Sequence, residues 1–339
     1  QGADKVPAYR GLAYVVFERL PLDDFGNRIP LLQFEVIRPV GRMEEEIRAV
    51  AVIPGATEHG YAVTRVSDAP KSGEKRWLNR NTLAASTDWQ ASINELQALC
   101  PNLEEVALVV AWFGTDLRAG QCRVVPGVEV SVRRQESRAW RVAGLNRAQA
   151  YLVSRHDGGP AYGGSPDDQS VIEAIRDLKA RGLKVTLYPF LLMDIAEGNG
   201  LADPYGGAEQ AAYPWRGRIT AYPLSADKTA AARAQVSTFV TRSDGYRGFI
   251  RHYADLAEEA GGVDGFLLGS ELRGLTTLRD GANAFPFVEA LVSLAGEVRG
   301  ILGASTAISY GADWSEYFGH QTTDHVSFHL DPLWADANI

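Results

Sequence analysis

A glutamate stands at the end of an apolar run in GFLLGSEL, residues 265–272. A carboxylate carried by a buried strand to its solvent end can exchange a proton or attack an electrophile. At the ends of other apolar runs stand Trp112, Tyr188, Tyr310 and Trp314, with Asp116, Asp194 and Asp313 close by. Flat aromatic faces beside polar groups suit sugar rings. Hydrolysis of a glycosidic bond needs two carboxyl groups flanking the anomeric carbon, one as acid and the other as nucleophile or base. Glu271 supplies one, and the second has no obvious place. A plainer reading has Glu271 paired with Arg273 or placed at a helix start by the dipole. Asp194 and Glu197 also read as solvated loop acids, and Asp313 and Asp331 as cap or turn residues before Trp314 and Pro332. Trp112 and Tyr188 equally suit rim packing.

Other chemistries find less support. His325 and His329 are four apart, with His320 and Asp324 near. Positions i and i+4 share a strand face, but a metal site needs a third convergent ligand and supporting partners. They read as hydrogen-bonded or surface histidines, and no metal is expected. The sequence contains no GxSxG, catalytic Cys-His pair or HExxH, which leaves serine, thiol and zinc hydrolase readings without an anchor. Neither GxGxxG nor GxxxxGKS follows a strand, and no cofactor is expected. Cys100 and Cys122 are too few for a disulfide framework and read as inert thiols of a reducing cytoplasm.

Composition sets the class. The 339 residues are 45% hydrophobic and 22% charged, the balance of a soluble globular chain with a substantial core. A net charge of −8 gives no basic footprint for nucleic acid. Apolar stretches such as LEEVALVVAWF and KVTLYPFLLM fall well short of the ~20 residues of a membrane span, and the N-terminal QGADKVPAYR lacks an apolar export core.

The elements that position these residues change character along the chain. Residues 1–46 read as a β-rich segment, strands at AYRGLAYVVFERLPL and LLQFEVIRP around the turn DDFGNRIP. Residues 47–86 read as a bridge with one strand at EIRAVAVIP. From 87 to 339 strands and helices alternate. Thr87 caps a helix with Ile93, Leu96 and Leu99 on one face. VALVVAWFG is a continuous apolar strand, the mark of burial on both faces. AYLVS, residues 150–154, is a weaker strand. Ser165 and Pro166 open a helix with the stripe Val171, Ile172, Ile175 and Leu178, closed by Gly182. KVTLYPFLLMD follows, then a Gly-, Pro-, Tyr- and Trp-rich excursion from Ile195 to about Ser243. A helix facing inward through Tyr246, Phe249, Ile250, Tyr253 and Leu256 precedes GFLLGSEL. FPFVEALVSLAGEVRGIL and STAISYGADW complete the alternation.

Such alternation predicts an α/β fold with a parallel sheet and right-handed crossovers. Acids and aromatics at the strand ends favour a (β/α)8 TIM-barrel-like domain, where strand ends gather at one mouth. Counted from VALVVAWFG, GFLLGSEL is the fourth strand and STAISYGADW the fifth, and the last residues enter a sixth. The expectation is an incomplete barrel in a piece of a longer protein.

Two stretches carry a family resemblance. YRGLAYVVFERLPLDDFGNRIPLLQFEV resembles a phage-type tail hub segment. GVDGFLLGSELRGLT, SYGADW and FHLDPLW resemble the TIM-barrel-like glycoside hydrolase domain inserted in the large tail-tip, or baseplate hub, protein of gene transfer agents and related tailed phages, also called the host-specificity or megatron protein. The resemblance implies a structural tail-tip component that binds or cleaves host cell-envelope polysaccharide during attachment and DNA delivery. A retaining two-carboxylate glycoside hydrolase is one implication, and an inactive barrel serving as a structural or carbohydrate-binding module is the alternative. Glu271 matches the acid/base position after strand four, and the nucleophile position after strand seven lies beyond Ile339. Ser270 stands where many such enzymes have asparagine. Substrate contacts are expected from Trp112, Tyr188, Ser270, Tyr310, Asp313 and Trp314. Implied partners are other tail and baseplate proteins in a homotrimer around the tail axis, a host surface glycan, and DNA in transit without sequence-specific binding. The implied place is the tail tip of a virion-like particle assembled from protein made in the bacterial cytoplasm, with no membrane-spanning segment.

Overall fold

A computed structural model describes residues 36, 37, 39–53, 55–281, 284–321, 323 and 326–339. The hub strands expected within residues 1–35, and His325 and Asp324, lie outside the described residues. Between 36 and 46 the described chain forms a short helix, Arg42–Glu46.

Five parallel strands make the central sheet: β1 (Ala49–Val52), β2 (Glu105–Gly114), β3 (Lys184–Met193), β4 (Gly265–Ser270) and β5 (Ala307–Gly311), in that spatial order. Val124–Val125 adds an antiparallel pairing to the end of β2. Helices alternate with the strands: α1 (Asp88–Leu99), α2 (Asp168–Ala180), α3 (Ala230–Thr241), α4 (Tyr246–Glu259) and α5 (Pro286–Leu302). Neighbouring strands in sequence are neighbours in space, which is the winding of a TIM-barrel-like α/β domain. None of the helices among the described residues is long and apolar enough to cross a membrane.

The count of strands differs from the sequence reading in two places. AYLVS does not enter the sheet; Tyr151–Leu152 pairs instead with Gly127–Val128 in a separate ladder. First place belongs to β1, within the residues read as a bridge. Its alternating exposed and half-buried residues gave a weak apolar signal, and among the described residues it pairs on one side only, with β2. GFLLGS remains fourth because the two differences cancel.

Capping and stripes explain the helices. The Thr87 hydroxyl accepts the Gln90 N–H at 3.3 Å, and Trp89 and Ile93 form the buried face of α1. Asp167 caps α2 in place of the expected Ser165-Pro166 start, and Val171, Ile172, Ile175 and Leu178 are buried as their spacing predicts. The inward face of α4 is Tyr246, Phe249, Ile250, Tyr253 and Leu256.

The two faces of the sheet differ. Along β3, Val185, Leu187, Leu191 and Met193 are buried in the main core with residues of α2, α4 and α5. Thr186, Tyr188, Phe190 and Leu192 alternate with them and are half-buried on the inner face. Leu192 there joins a smaller cluster with Ala56, Ala111, Phe113 and Val153. Trp112 is in register with Leu191 and therefore points outward. It packs in the core against Phe249, His252 and Tyr253, with ring centroids at 5.2, 5.5 and 6.2 Å. The expectation that Trp112 lines a sugar site is thereby corrected.

Candidate active site at the end of the fourth strand

The irregular end of β4 aims Glu271. Pairing with β5 runs in register from Gly265 opposite Ala307 to Leu267 opposite Ser309, then shifts so that Ser270 faces Gly311. Gly269 takes φ +107° and Glu271 φ +54°. A Cβ on Gly269 would collide with the Tyr246 hydroxyl, which donates to the Leu268 carbonyl at 2.7 Å. Glycine is thus required by both space and backbone at this bulge. A glutamate in the left-handed region costs roughly 1 kcal/mol or more, so its surroundings must hold it there. The Glu271 N–H donates to the Gly311 carbonyl at 2.9 Å, and the next N–H, of Leu272, donates to the Tyr310 hydroxyl at 2.6 Å.

Two neighbours in the β3–β4 connection reach the carboxylate. Trp215 Nε1 donates to Glu271 Oε2 at 2.9 Å, and Arg216 Nη2 donates to the same oxygen at 2.7 Å. The Arg216 side chain is only 7% exposed, against 36% for Glu271. Its Nε donates to the Ser270 carbonyl and its Nη2 to the Ser270 hydroxyl oxygen, both at 2.8 Å. The guanidinium lies 3.8 Å from the Phe190 ring centroid, a stacked cation–π contact. Gly274 lets this loop approach, because a Cβ there would press into the carbonyls of Ile219 and Gly217. Glu271 therefore pairs with Arg216, not with Arg273 as the plainer sequence reading had it.

The remaining expected residues divide. Tyr188 donates to the Ser270 hydroxyl oxygen at 2.6 Å, so Ser270, buried and already bound by Arg216, orients the guanidinium instead of meeting a ligand. Tyr310 is buried and supports the backbone after Glu271. Asp313 caps the short helix Trp314–Tyr317, accepting the Ser315 N–H at 3.0 Å, which corrects its reading as a sugar contact. Trp314 is 73% exposed with its ring edge against Phe318. Glu271, Ser270 and Tyr188 are thus brought together, Tyr310 supports them, and Trp112 and Asp313 serve elsewhere. Asp194 is buried, accepting from the Ser154 N–H at 2.8 Å and hydroxyl at 2.5 Å, so it is no solvated acid.

Trp215, Arg216 and Glu316 were missed in the sequence. The first two sit in the excursion after β3, which has no periodicity to mark them. Glu316 is buried beside β5; it accepts from the Thr276 hydroxyl at 2.5 Å and the Asp313 N–H at 2.7 Å, and faces the Tyr310 hydroxyl at 3.4 Å. Burial raises its carboxyl above the usual range despite those donors.

A second polar cluster lies in the loops after β1 and β2. His59 Nδ1 meets Asp167 at 2.8 Å and Nε2 meets Glu136 at 2.9 Å. Ligand atoms of Glu58, His59 and Glu136 converge within 4.8 Å. Arg147 donates to Glu58 at 2.7 Å and to Glu136 at 2.5 Å, and Arg133 donates to Glu58 at 3.0 and 3.1 Å. Two guanidinium groups supply the positive charge a metal would bring, so the cluster reads as an ion-pair lock between loops. His329 is buried against Phe285, and burial with the charge of His320 pushes its ring down to about 4.

Fold and site together define a TIM-barrel-like α/β domain with a carboxylate at the end of its fourth strand. Residues 244–339 match the family model described as the GTA TIM-barrel-like domain. No curated protein matches the chain. Among solved structures, the chain is similar to the GH113 β-mannanase AaManA from Alicyclobacillus acidocaldarius in complex with ManMIm, at 15% identity and a TM-score of 0.32, covering 65% of this chain and 48% of that one. It is also similar to a GH113 β-1,4-mannanase complex at 17% identity and a TM-score of 0.31, covering 62% and 46%. The chain spans about half the length of these structures.

Proposed function

We propose that this chain is part of a phage-like, gene-transfer-agent tail-tip or baseplate hub protein whose barrel binds or cleaves host cell-envelope polysaccharide around Glu271. The observation that carries the reading is Glu271 itself. It stands at the end of β4 in a left-handed conformation, with Oε2 bound by Trp215 and Arg216 and its side chain 36% exposed. The match of residues 244–339 to the family model described as the GTA TIM-barrel-like domain supports the barrel part of this reading. In a tail-tip setting the partners are other tail and baseplate proteins in a homotrimer, a surface glycan, and DNA passing without sequence-specific contacts.

A second reading is favoured by the same geometry. Both partners of Glu271 are donors, so the carboxylate serves them as an acceptor, whereas a general acid must itself carry a proton. A barrel that binds glycan without cleaving it satisfies that arrangement. The complete protein incubated with purified host envelope polysaccharide separates the two. New reducing ends support hydrolysis, saturable binding without them supports the binding module, and neither result overturns both.

A further inference from the structure

We propose that Trp215 and Arg218 form a binding position for an acidic saccharide, the indole stacking on a sugar ring beside Glu271 and the guanidinium taking the carboxylate of a neighbouring unit. This rests on the carbohydrate reading above and names its substrate class. Both residues belong to the β3–β4 connection, and β4 is paired on both sides, so the position does not lie at an edge of the sheet.

Trp215 has one covered face and one without a partner. A Cβ on Gly217 would stand 2.4, 2.4 and 2.5 Å from three successive carbons of its six-membered ring, Cζ2, Cη2 and Cζ3. Near-equal distances put that point over the ring, so the indole lies flat on Gly217. Its edge is fixed as well, because Nε1 donates to Glu271 Oε2 at 2.9 Å and brings the carboxylate towards the plane of the ring. Among the described residues no aromatic ring packs on the other face, and Trp215 is 40% exposed. Flat aromatic surface of this kind takes the apolar C–H side of a pyranose. A sugar laid there has its rim against Glu271.

Arg218 supplies the charge. It ends the 3-10 turn Arg216–Arg218 that Trp215 opens, and its N–H donates to the Trp215 carbonyl at 3.0 Å, so the two residues lie about 6 Å apart along the turn. Tyr205 holds Arg218 twice: its ring centroid is 4.5 Å from the guanidinium, and its hydroxyl donates to the Arg218 carbonyl at 2.9 Å. In the same region Arg118 and Arg216 are bound to acids, Asp116 and Glu271. Arg218 has no acid partner among the described residues, although the chain carries a net charge of −8. Asp203, beside Tyr205, is occupied by the N–H groups of Tyr205 and Gly207 at 3.1 and 3.0 Å. Arg273 is exposed and likewise without an acid partner among the described residues. Burial raises the Tyr205 phenol, and the charges of Arg218 and Arg273 both act against that rise, so two unpaired cations share its neighbourhood. A planar guanidinium presents paired donors that fit a carboxylate. Joined to a stacking face, such a cation selects an acidic sugar over a neutral one.

The test is calorimetric titration of the complete protein with galacturonate hexamer and with mannohexaose. The acidic hexamer is expected to bind about tenfold more tightly, as one charge-assisted pair implies. That preference is expected to shrink with added salt, a readout that needs no variant. Arg218→Gln is expected to bring the acidic hexamer down to the affinity of mannohexaose, and Trp215→Leu to weaken both hexamers by a similar factor, with circular dichroism unchanged in each. The proposal is overturned if wild type binds the two hexamers equally, if Arg218→Gln keeps the preference, or if Trp215→Leu binds both unchanged. It is also overturned if inorganic phosphate at equal concentration displaces the acidic hexamer, which would mark an anion site without sugar recognition. Binding of mannohexaose alone overturns this proposal and leaves the carbohydrate reading intact, whereas binding of neither hexamer overturns both.

Discussion

Glu271 depends on residues that offer it protons. Arg216 binds the carboxylate, the Ser270 carbonyl and the Ser270 hydroxyl with one buried guanidinium. Arg216→Met leaves the Ser270 carbonyl without this donor, while Glu271 keeps Trp215 and the Ser270 hydroxyl keeps Tyr188, and equilibrium urea unfolding is expected to show a loss of about 1–2 kcal/mol. His59 gives the molecule a pH dependence of known sign. Burial alone lowers its pKa, but hydrogen bonds to Asp167 and Glu136 and their charges outweigh burial and raise it above 6.5. Folding thus favours the protonated ring. Its contribution is fully present below about pH 6.5, the unfolded value, and is lost as pH rises through the higher folded value. Chemical unfolding of wild type and His59→Gln across pH 5–9 is expected to show the wild-type advantage shrinking with rising pH; an advantage that grows would contradict the assignment.

At the scale of elements, the end of β4 is where backbone and function meet. Gly269→Ala meets the Tyr246 hydroxyl and a φ of +107°, and a loss of about 2 kcal/mol or more in thermal or denaturant unfolding is expected. Helices and long strands were legible in the sequence because their apolar residues repeat with the period of the buried face, as α4 and β3 show. β1 was under-read because its four residues are only exposed or half-buried among the described residues, and AYLVS was over-read because a short apolar run carries no information about its partner. Trp112 was misassigned for a related reason. Its type and its place near a strand end were visible, but the face it takes is fixed by register with Leu191. Trp215 and Arg216 were illegible, since a loop side chain finds its partner through tertiary approach, here across Gly274.

Across the whole molecule, the described sheet is an open arc of five parallel strands with Tyr188, Phe190, Leu192 and Leu267 half-buried on its inner face. The barrel class was legible because strand–helix alternation and acids at strand ends are global patterns that survive local miscounting. The position of Glu271 on the fourth strand survived for the same reason. The role given to that residue is tested most directly by the turnover of Glu271→Gln in the complete protein, measured as reducing sugar released from host envelope polysaccharide, alongside circular dichroism. Where the complete protein releases reducing sugar, the account predicts a fall of about a hundredfold or more with the fold unchanged, the usual worth of a positioned acid–base group. Turnover equal to wild type in a folded variant would contradict it.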